Sequence, residues 1–399
     1  MEFSLSALII VPTLAVVAPL LAGLVGRIAR VHVVVFEILL GLLVGPSVLG
    51  WVPSNGFTTQ IADFGLAFLF FMAGSETDFS AIKGRLAATA LAGWLLSLII
   101  GVSIGIAVGL SAVGGIIIGI ALTSTALGTI MPMLRDAHEM STPFGRAVIA
   151  VGAVGEFGPL VAISLFLSGR TTAGASVVLV AFVVISAIAV FAASRGRTAS
   201  FYKLIASTLH TSTQLAVRIV VMIVAALAAL SIALGLDMLL GAFTAGVICR
   251  VLLSGARPEH KELIETKLEA VSFGFLVPIF FINVGITFDL HALLSNGRAL
   301  ILLPIFVLFL LVVRGVPGGF AAPPGSRFAD RLALVLFTAT GLPIIVAVTA
   351  IGVDEKYLAP GTASALVGAG MLSVLLFPAI AMGQRSRARK AQRPHPGSG

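Results

Sequence analysis

Thirteen apolar runs, each about long enough to cross a bilayer, follow one another between Leu5 and Met382, and that succession limits the fold more than any motif does. A helix needs about 20 apolar residues to span the hydrocarbon layer. On that measure the runs lie at roughly 5–26, 32–50, 58–74, 86–110, 113–133, 146–168, 174–194, 214–235, 237–254, 270–288, 298–317, 329–350 and 359–382. Inside lipid only helices and closed barrels satisfy their own backbone, and no alternating strand pattern is present. The expectation is an all-α polytopic membrane protein.

Composition agrees: 58% of the 399 residues are hydrophobic, against roughly 45–50% in soluble domains. Forty-three Gly and eighteen Pro suit a membrane bundle, where small residues bring helices close and neighbours repair proline breaks. The net charge of +8 is spread over short loops and forms no single patch, so it speaks for topology and against nucleic acid. Arg27, Lys83, Arg135, Arg195, Arg250 and Arg327 mark one side with their neighbours, while the alternate loops hold Arg170, Arg298 and Lys356. The positive-inside rule then puts the N-terminus outside and the C-terminus in the cytoplasm. The lone Cys249 excludes an internal disulfide. No cleaved signal, phosphate loop or nucleophile constellation is recognisable, and an enzyme is not expected.

Two charges interrupt the apolar runs: Glu156 within 147–167 and Arg314 within 301–316. A charge at mid-bilayer costs on the order of 3 kcal/mol, so each is a candidate functional residue. A structural ion pair pinning two helices is the competing reading. Two runs also break their own pattern, at Thr123-Ser124-Thr125-Ala126-Leu127-Gly128 and at Thr338-Ala339-Thr340-Gly341-Leu342-Pro343. Hydroxyls followed by Gly or Pro weaken the backbone ladder and supply replacement oxygens. Interrupted helices at corresponding places in two halves point to an inverted-repeat transporter with a midplane site.

A carboxylate at such a crossing binds a proton or a small cation, and competition between the two is itself an exchange mechanism. Burial disfavours its charged form while a facing guanidinium favours it. The oxygens of Thr123, Ser124, Thr125, Thr338 and Thr340 suit a dehydrated alkali cation, and no His/Cys cluster suits a transition metal. No cofactor is expected; Na+ or K+ and H+ are the transported ions. The alternative is a sodium-coupled symporter of a small organic anion on a similar fold.

Four stretches carry a resemblance: Phe36-Glu37 through Gly41, Gly45-Pro46 and Gly50; Phe71 through Gly74, Glu76 and Asp78; Leu239 through Gly241 and Gly246; and Pro278 through Asn283 and Gly285. In this order the chain resembles the membrane domain of the monovalent cation:proton antiporter family, which includes bacterial sodium/proton and potassium-efflux antiporters. The resemblance implies two crossed discontinuous helices and a homodimer in the inner (plasma) membrane. It further implies one transmembrane domain over 1–382, whose core spans at about 86–168 and 298–382 move against a scaffold, followed by a basic tail at 383–399. By position, Glu156 would be the ion-binding carboxylate, Thr123 to Thr125 with Thr338 to Gly341 the crossover, and Arg314 the base that faces the acid. The family usually has Asp at position 156 and Asp, Asn or Gln at Gly155. A single acid per site resembles electroneutral exchangers.

Three details stay open. Glu37 bears on the ion path or caps a helix, and Glu76 with Asp78 forms a cation funnel or a solvated helix end. The mixed-sign stretch 257–267 is a short amphipathic helix or a solvated connector.

Overall fold

The apolar runs fold as helices, whose backbone bonds close within each segment. In the computed structural model these are α1 (Leu5–Val25), α2 (Val33–Val44), α3 (Gly56–Glu76), α4 (Arg85–Val108), α5 (Ala112–Leu122), α6 (Leu127–Asp136), α7 (Pro143–Phe166), α8 (Thr172–Arg195) and α9 (Leu215–Ala233). They continue as α10 (Met238–Leu253), α11 (Pro258–Val271), α12 (Val277–Thr287), α13 (Leu290–Leu294), α14 (Gly297–Phe309), α15 (Val316–Gly318), α16 (Phe328–Thr338), α17 (Pro343–Asp354) and α18 (Pro360–Lys390). The structure describes residues 5–25, 32–53, 56–77, 84–108, 111–167, 171–195, 214–295 and 297–390. Asp78, Arg170, His210 and the end of the basic tail lie outside these. Among the described residues there is no strand, and nine helices are long and apolar enough to cross a membrane. With the shorter apolar helices, each run expected from the sequence meets a helix or a pair of half-helices.

Two compact units divide the chain, which passes between them several times, once within α7 between Pro159 and Leu160. The first holds residues 1–19, 37–77 and 160–287. Glycines set its packing. A Cβ on Gly41 would collide with the Ile282 carbonyl and one on Gly285 with the Ile38 carbonyl, so α2 and α12 touch backbone to backbone. Gly74 and Gly246 do the same for α3 and α10, against the carbonyls of Phe243 and Phe71. Arg250 finishes this seam by donating from Nη1 to the Ser75 and Glu76 carbonyls at 3.1 and 3.2 Å. It thus supplies a cation to the orphan carbonyl end of α3. Asp237 caps α10, accepting from the Leu239 N–H at 2.8 Å.

The mixed-sign stretch is helical from Pro258 onward: α11 begins with Pro258 in its first turn, buries Ile264 and Leu268, and runs through the π-helical turn Ser272–Leu276 into α12. Lys261 and Glu265 pair along its exposed side at 3.7 Å. Two buried apolar anchors decide here between the readings left open by charge alone.

The second unit holds residues 20–36, 78–159 and 288–399. Helix α4 shows how it is sorted: Ala90, Gly93, Trp94, Ser97, Gly101 and Gly105 are buried, while Leu91, Leu95, Ile99 and Ile106 are exposed. Apart from Trp94, small and polar residues lie inside and large aliphatic ones outside, which is the arrangement of a lipid-facing helix. At one end Arg385, near the end of α18, binds Asp330 at 2.6 Å and Glu139 at 3.1 Å and lies 3.5 Å above the Phe144 ring. That clamp ties the turn between α6 and α7 to the starts of α7 and α16.

The seams make a testable contrast. Gly246→Ala pushes a methyl into backbone that cannot move aside, whereas Gly274→Ala meets nothing within 4 Å. Overpacking costs about 1–3 kcal/mol, so Gly246→Ala should lower the thermal midpoint of the purified protein by several degrees. Gly274→Ala should leave it unchanged.

Candidate functional site

Helix α5 ends at Leu122 and α6 begins at Leu127, so Thr123 to Ala126 form a break within a buried span. The last turn of α5 tightens: Thr123 N–H and Ser124 N–H bond Ile120 O and Ala121 O at 3.1 and 3.3 Å. The Thr123 and Ser124 hydroxyls donate to the same carbonyls, both at 2.8 Å. The second break, Ala339 to Leu342, lies between α16 and α17, and Pro343 starts the new helix. There Thr338 Oγ1 donates to Val335 O at 3.0 Å and Thr340 Oγ1 to Leu336 O at 3.0 Å.

The breaks also satisfy each other. Ala126 N–H donates to Thr340 O at 2.7 Å, and Thr125 Oγ1 donates to Thr338 O at 2.7 Å. Gly341 N–H goes instead to Ser373 Oγ on α18, at 3.1 Å. No room remains for a side chain at 341, since a Cβ would lie 2.8 Å from Ser124 Oγ. Irregular backbone at membrane depth survives only with such partners.

Glu156 enters through α7. Pro159 has no N–H, so the carbonyl four residues earlier, at Gly155, loses its helical donor. Thr125 N–H takes that carbonyl at 2.9 Å. The first break is thereby bonded to α7 one residue before Glu156, which is fully buried.

Arg314 lies in the π-helical turn Leu310–Gly315 between α14 and α15. Such turns are often found at functional sites. The side chain is fully buried, Nε donates to Thr125 Oγ1 at 2.8 Å, and Nη2 donates to Val151 O at 2.7 Å. Nη1 is buried and has no acceptor among the described residues. The volume beside Gly155 is taken by this guanidinium: a Cβ there would overlap Arg314 Nη2 and lie 2.6 Å from Thr125 Oγ1. On the other side of Glu156, Gly158 makes way for the indole of Trp94.

The structure therefore brings Thr125, Arg314, Thr338 and the Gly155–Glu156 peptide together, with Ser124 against Gly341 and Thr340 bonded to Ala126. The Thr125 hydroxyl both donates and accepts, which makes it the bridge between Arg314 and the second break. The Thr123 and Ser124 oxygens keep lone pairs that a cation can use. Glu37 and Glu76 belong to the first unit. Among the described residues no three His, Cys, Asp or Glu are grouped to hold a metal ion. Sequence reasoning missed Val151 and Ser373, and it missed why position 155 is Gly. Only the proline after Glu156 carried a local signal.

Comparison with known proteins decides what kind of chain this is: the family described as "Sodium/hydrogen exchanger, transmembrane" matches residues 13–382. The chain belongs to the sodium/hydrogen exchanger family. It is 24% identical over 370 residues to the Na+/H+-K+ antiporter GerN of Bacillus cereus, covering 90% of this chain and 92% of GerN. It is 25% identical over 396 residues to YjbQ of Bacillus subtilis (strain 168), covering 94% of this chain and 62% of YjbQ. The sodium proton antiporter MjNhaP1 from Methanocaldococcus jannaschii shares the fold, with a TM-score of 0.67 over 96% of this chain and 97% of that chain, at 16% identity. A multi-pass membrane protein with two crossed discontinuous helices is the exchanger architecture expected from the broken runs.

Two substitutions attack the guanidinium from opposite sides. Gly155→Ala claims its space, and Thr125→Val removes the hydroxyl that holds it, leaving Nε and Thr338 O without their partner. Leaving buried hydrogen-bonding groups unsatisfied costs about 1–3 kcal/mol each. Both variants should lose most stability-linked thermal protection and most transport in proteoliposomes. Thr125→Ser, which keeps the hydroxyl, should retain both.

Proposed function

We propose that the protein is a secondary antiporter that exchanges a monovalent cation, Na+ or K+, for H+ through Glu156. The printed names of GerN and of the Enterococcus hirae relative, a Na+/H+ antiporter 23% identical over 376 residues, support cation/proton exchange. The observation that carries the single-carboxylate reading is the guanidinium beside Gly155. It fills the place where a second acid would project, so one acid and one fixed base face the crossing. Glu156 alternates between a proton and a cation. Thr123 and Ser124 supply further oxygens, and Arg314 is a permanent charge, since arginine does not deprotonate in proteins.

The two loaded forms of such a site carry the same net charge, so exchange is one for one and electroneutral. The distribution of Arg and Lys favours an N-terminus outside and a C-terminus in the cytoplasm of a plasma membrane. A homodimer is the assembly implied by the family resemblance.

Purified protein in liposomes with a pH-sensitive dye tests the reading. Addition of Na+ or K+ should move protons in the wild type, and Glu156→Gln, matched in size but unable to ionise, should abolish the signal while the protein still elutes as a single species. A potassium-diffusion potential should leave the Na+-driven rate unchanged. Full activity of Glu156→Gln refutes the site, and a rate that follows the potential refutes the one-for-one stoichiometry.

A further inference from the structure

A cavity of about 330 Å³ lies in the second unit, where the first turns of α4 and α7 meet residues 320–324. Leu86, Ala147, Phe320 and Pro323 are among its apolar lining, and its charged lining residues are Arg85 and Arg146. No acid lines it among the described residues. The cavity therefore repels the transported cation and is not an entrance for it. Neither guanidinium has an acceptor among the described residues, in contrast to Arg250, Arg314 and Arg385, each of which is bonded to protein oxygens.

Location narrows the ligand. Arg85 and Pro143 are the first residues of two spans, Arg85–Val108 and Pro143–Phe166, so the cavity sits at the end of the membrane-crossing part of the unit. Phe320, 61% exposed, is on its apolar side. An occupant with an anionic, multi-oxygen head and an apolar attachment satisfies both halves of the lining. Guanidinium forks match phosphate oxygens in a bidentate way. A volume near 330 Å³ is at the small end of ligand sites, which span about 300–1,000 Å³, and suits a headgroup with its chains left outside.

We propose that this cavity binds the phosphate of an anionic phospholipid, with Arg85 and Arg146 as its ligands. A lipid there joins Arg146 in the first turn of α7, which carries Glu156 about 15 Å further on at 1.5 Å per residue, to the segment that follows Arg314. It also bears on α4, whose Gly93 packs against the Pro317 carbonyl. The bound headgroup would brace the three segments that surround the ion site. Binding is independent of the exchange reaction, so the proposal survives or fails apart from the antiporter reading.

Native mass spectrometry of the full-length protein with phosphatidylglycerol, phosphatidylcholine or inorganic phosphate tests it. The wild type should retain phosphatidylglycerol in preference to phosphatidylcholine, and the double variant Arg85→Gln/Arg146→Gln should retain it roughly tenfold or more weakly, as expected for two lost basic contacts. Millimolar inorganic phosphate should not displace the lipid; displacement would make this a free-anion site and overturn the lipid assignment. Equal retention by wild type and double variant, or no preference between the two lipids, also overturns it. If the glutamine pair does not fold, Arg85→Lys/Arg146→Lys keeps the charge and loses the fork. That pair should fall between wild type and phosphatidylcholine-level retention, and wild-type retention in it refutes bidentate binding.

Discussion

A guanidinium held inside a membrane protein, with Thr125 and the Val151 carbonyl as its hydrogen-bond partners, is the interaction on which the second unit depends. Stripping water from an ion costs several kcal/mol even after the protein relaxes, and charge-assisted hydrogen bonds recover part of that only when geometry is fixed. Fixing it draws in everything nearby. Thr125 must sit in a break to point its hydroxyl at Arg314, position 155 must lack a side chain, and Arg314 must leave α14 in a widened turn just ahead of Pro317. The peculiarities of three separate helices are one constraint seen from three sides.

The two breaks look equivalent in sequence and are bonded differently. The first gives its N–H groups to α7 and to the second break, and takes Arg314 on its hydroxyl. The second is steadied from α18, where Ser373 accepts from Gly341 N–H and donates back to the carbonyls of Gly341 or Gly370 at 3.1 and 2.7 Å. A hydroxyl with two acceptors and one proton can trade one for the other at little cost. The first break is thus locked to the charged residues, while the second rests on a partner that can be exchanged.

How far the sequence reveals this follows from the range of each interaction. Span positions, both breaks and both buried charges are local: a polar residue in an apolar run is visible without its partner, so Glu156, Arg314, Thr123 to Thr125 and Thr338 to Gly341 stand out. Partners are not local. Nothing near Thr125 announces that its hydroxyl joins Arg314, 189 residues away, to Thr338, 213 residues away. Ser373 is one serine among several in an apolar helix, and Arg385 is one arginine in a basic end until Glu139 and Asp330 are seen to enclose it. Gly155 stands out in the sequence only as a departure from the family pattern; in space it is the room a guanidinium needs. Pro159 is the exception, because its missing N–H leaves the carbonyl four residues earlier without a helical donor, and that follows from its chemistry alone.

Glycine brings helix backbones into contact in both units, and the second unit adds a crossing built from hydroxyls. In the first, glycine against carbonyl brings backbones into contact along α2 with α12 and α3 with α10, and in the second Gly105 and Gly115 do the same for α4 with α5. At the crossing in the second unit the contacts are hydroxyls, peptide groups and a guanidinium, and among them Ser373 can trade one acceptor for the other by turning its hydroxyl. A backbone seam holds one geometry, whereas a hydroxyl with two acceptors can remake its bond at similar energy in more than one arrangement. Gly74 with Gly246 and Gly105 with Gly115 are of the first kind, and Ser373 is of the second. Close packing and exchangeable bonding thus fall to different residue types and not to different units, glycine for the first and hydroxyl for the second, and both are too small to attract notice beside the two charges.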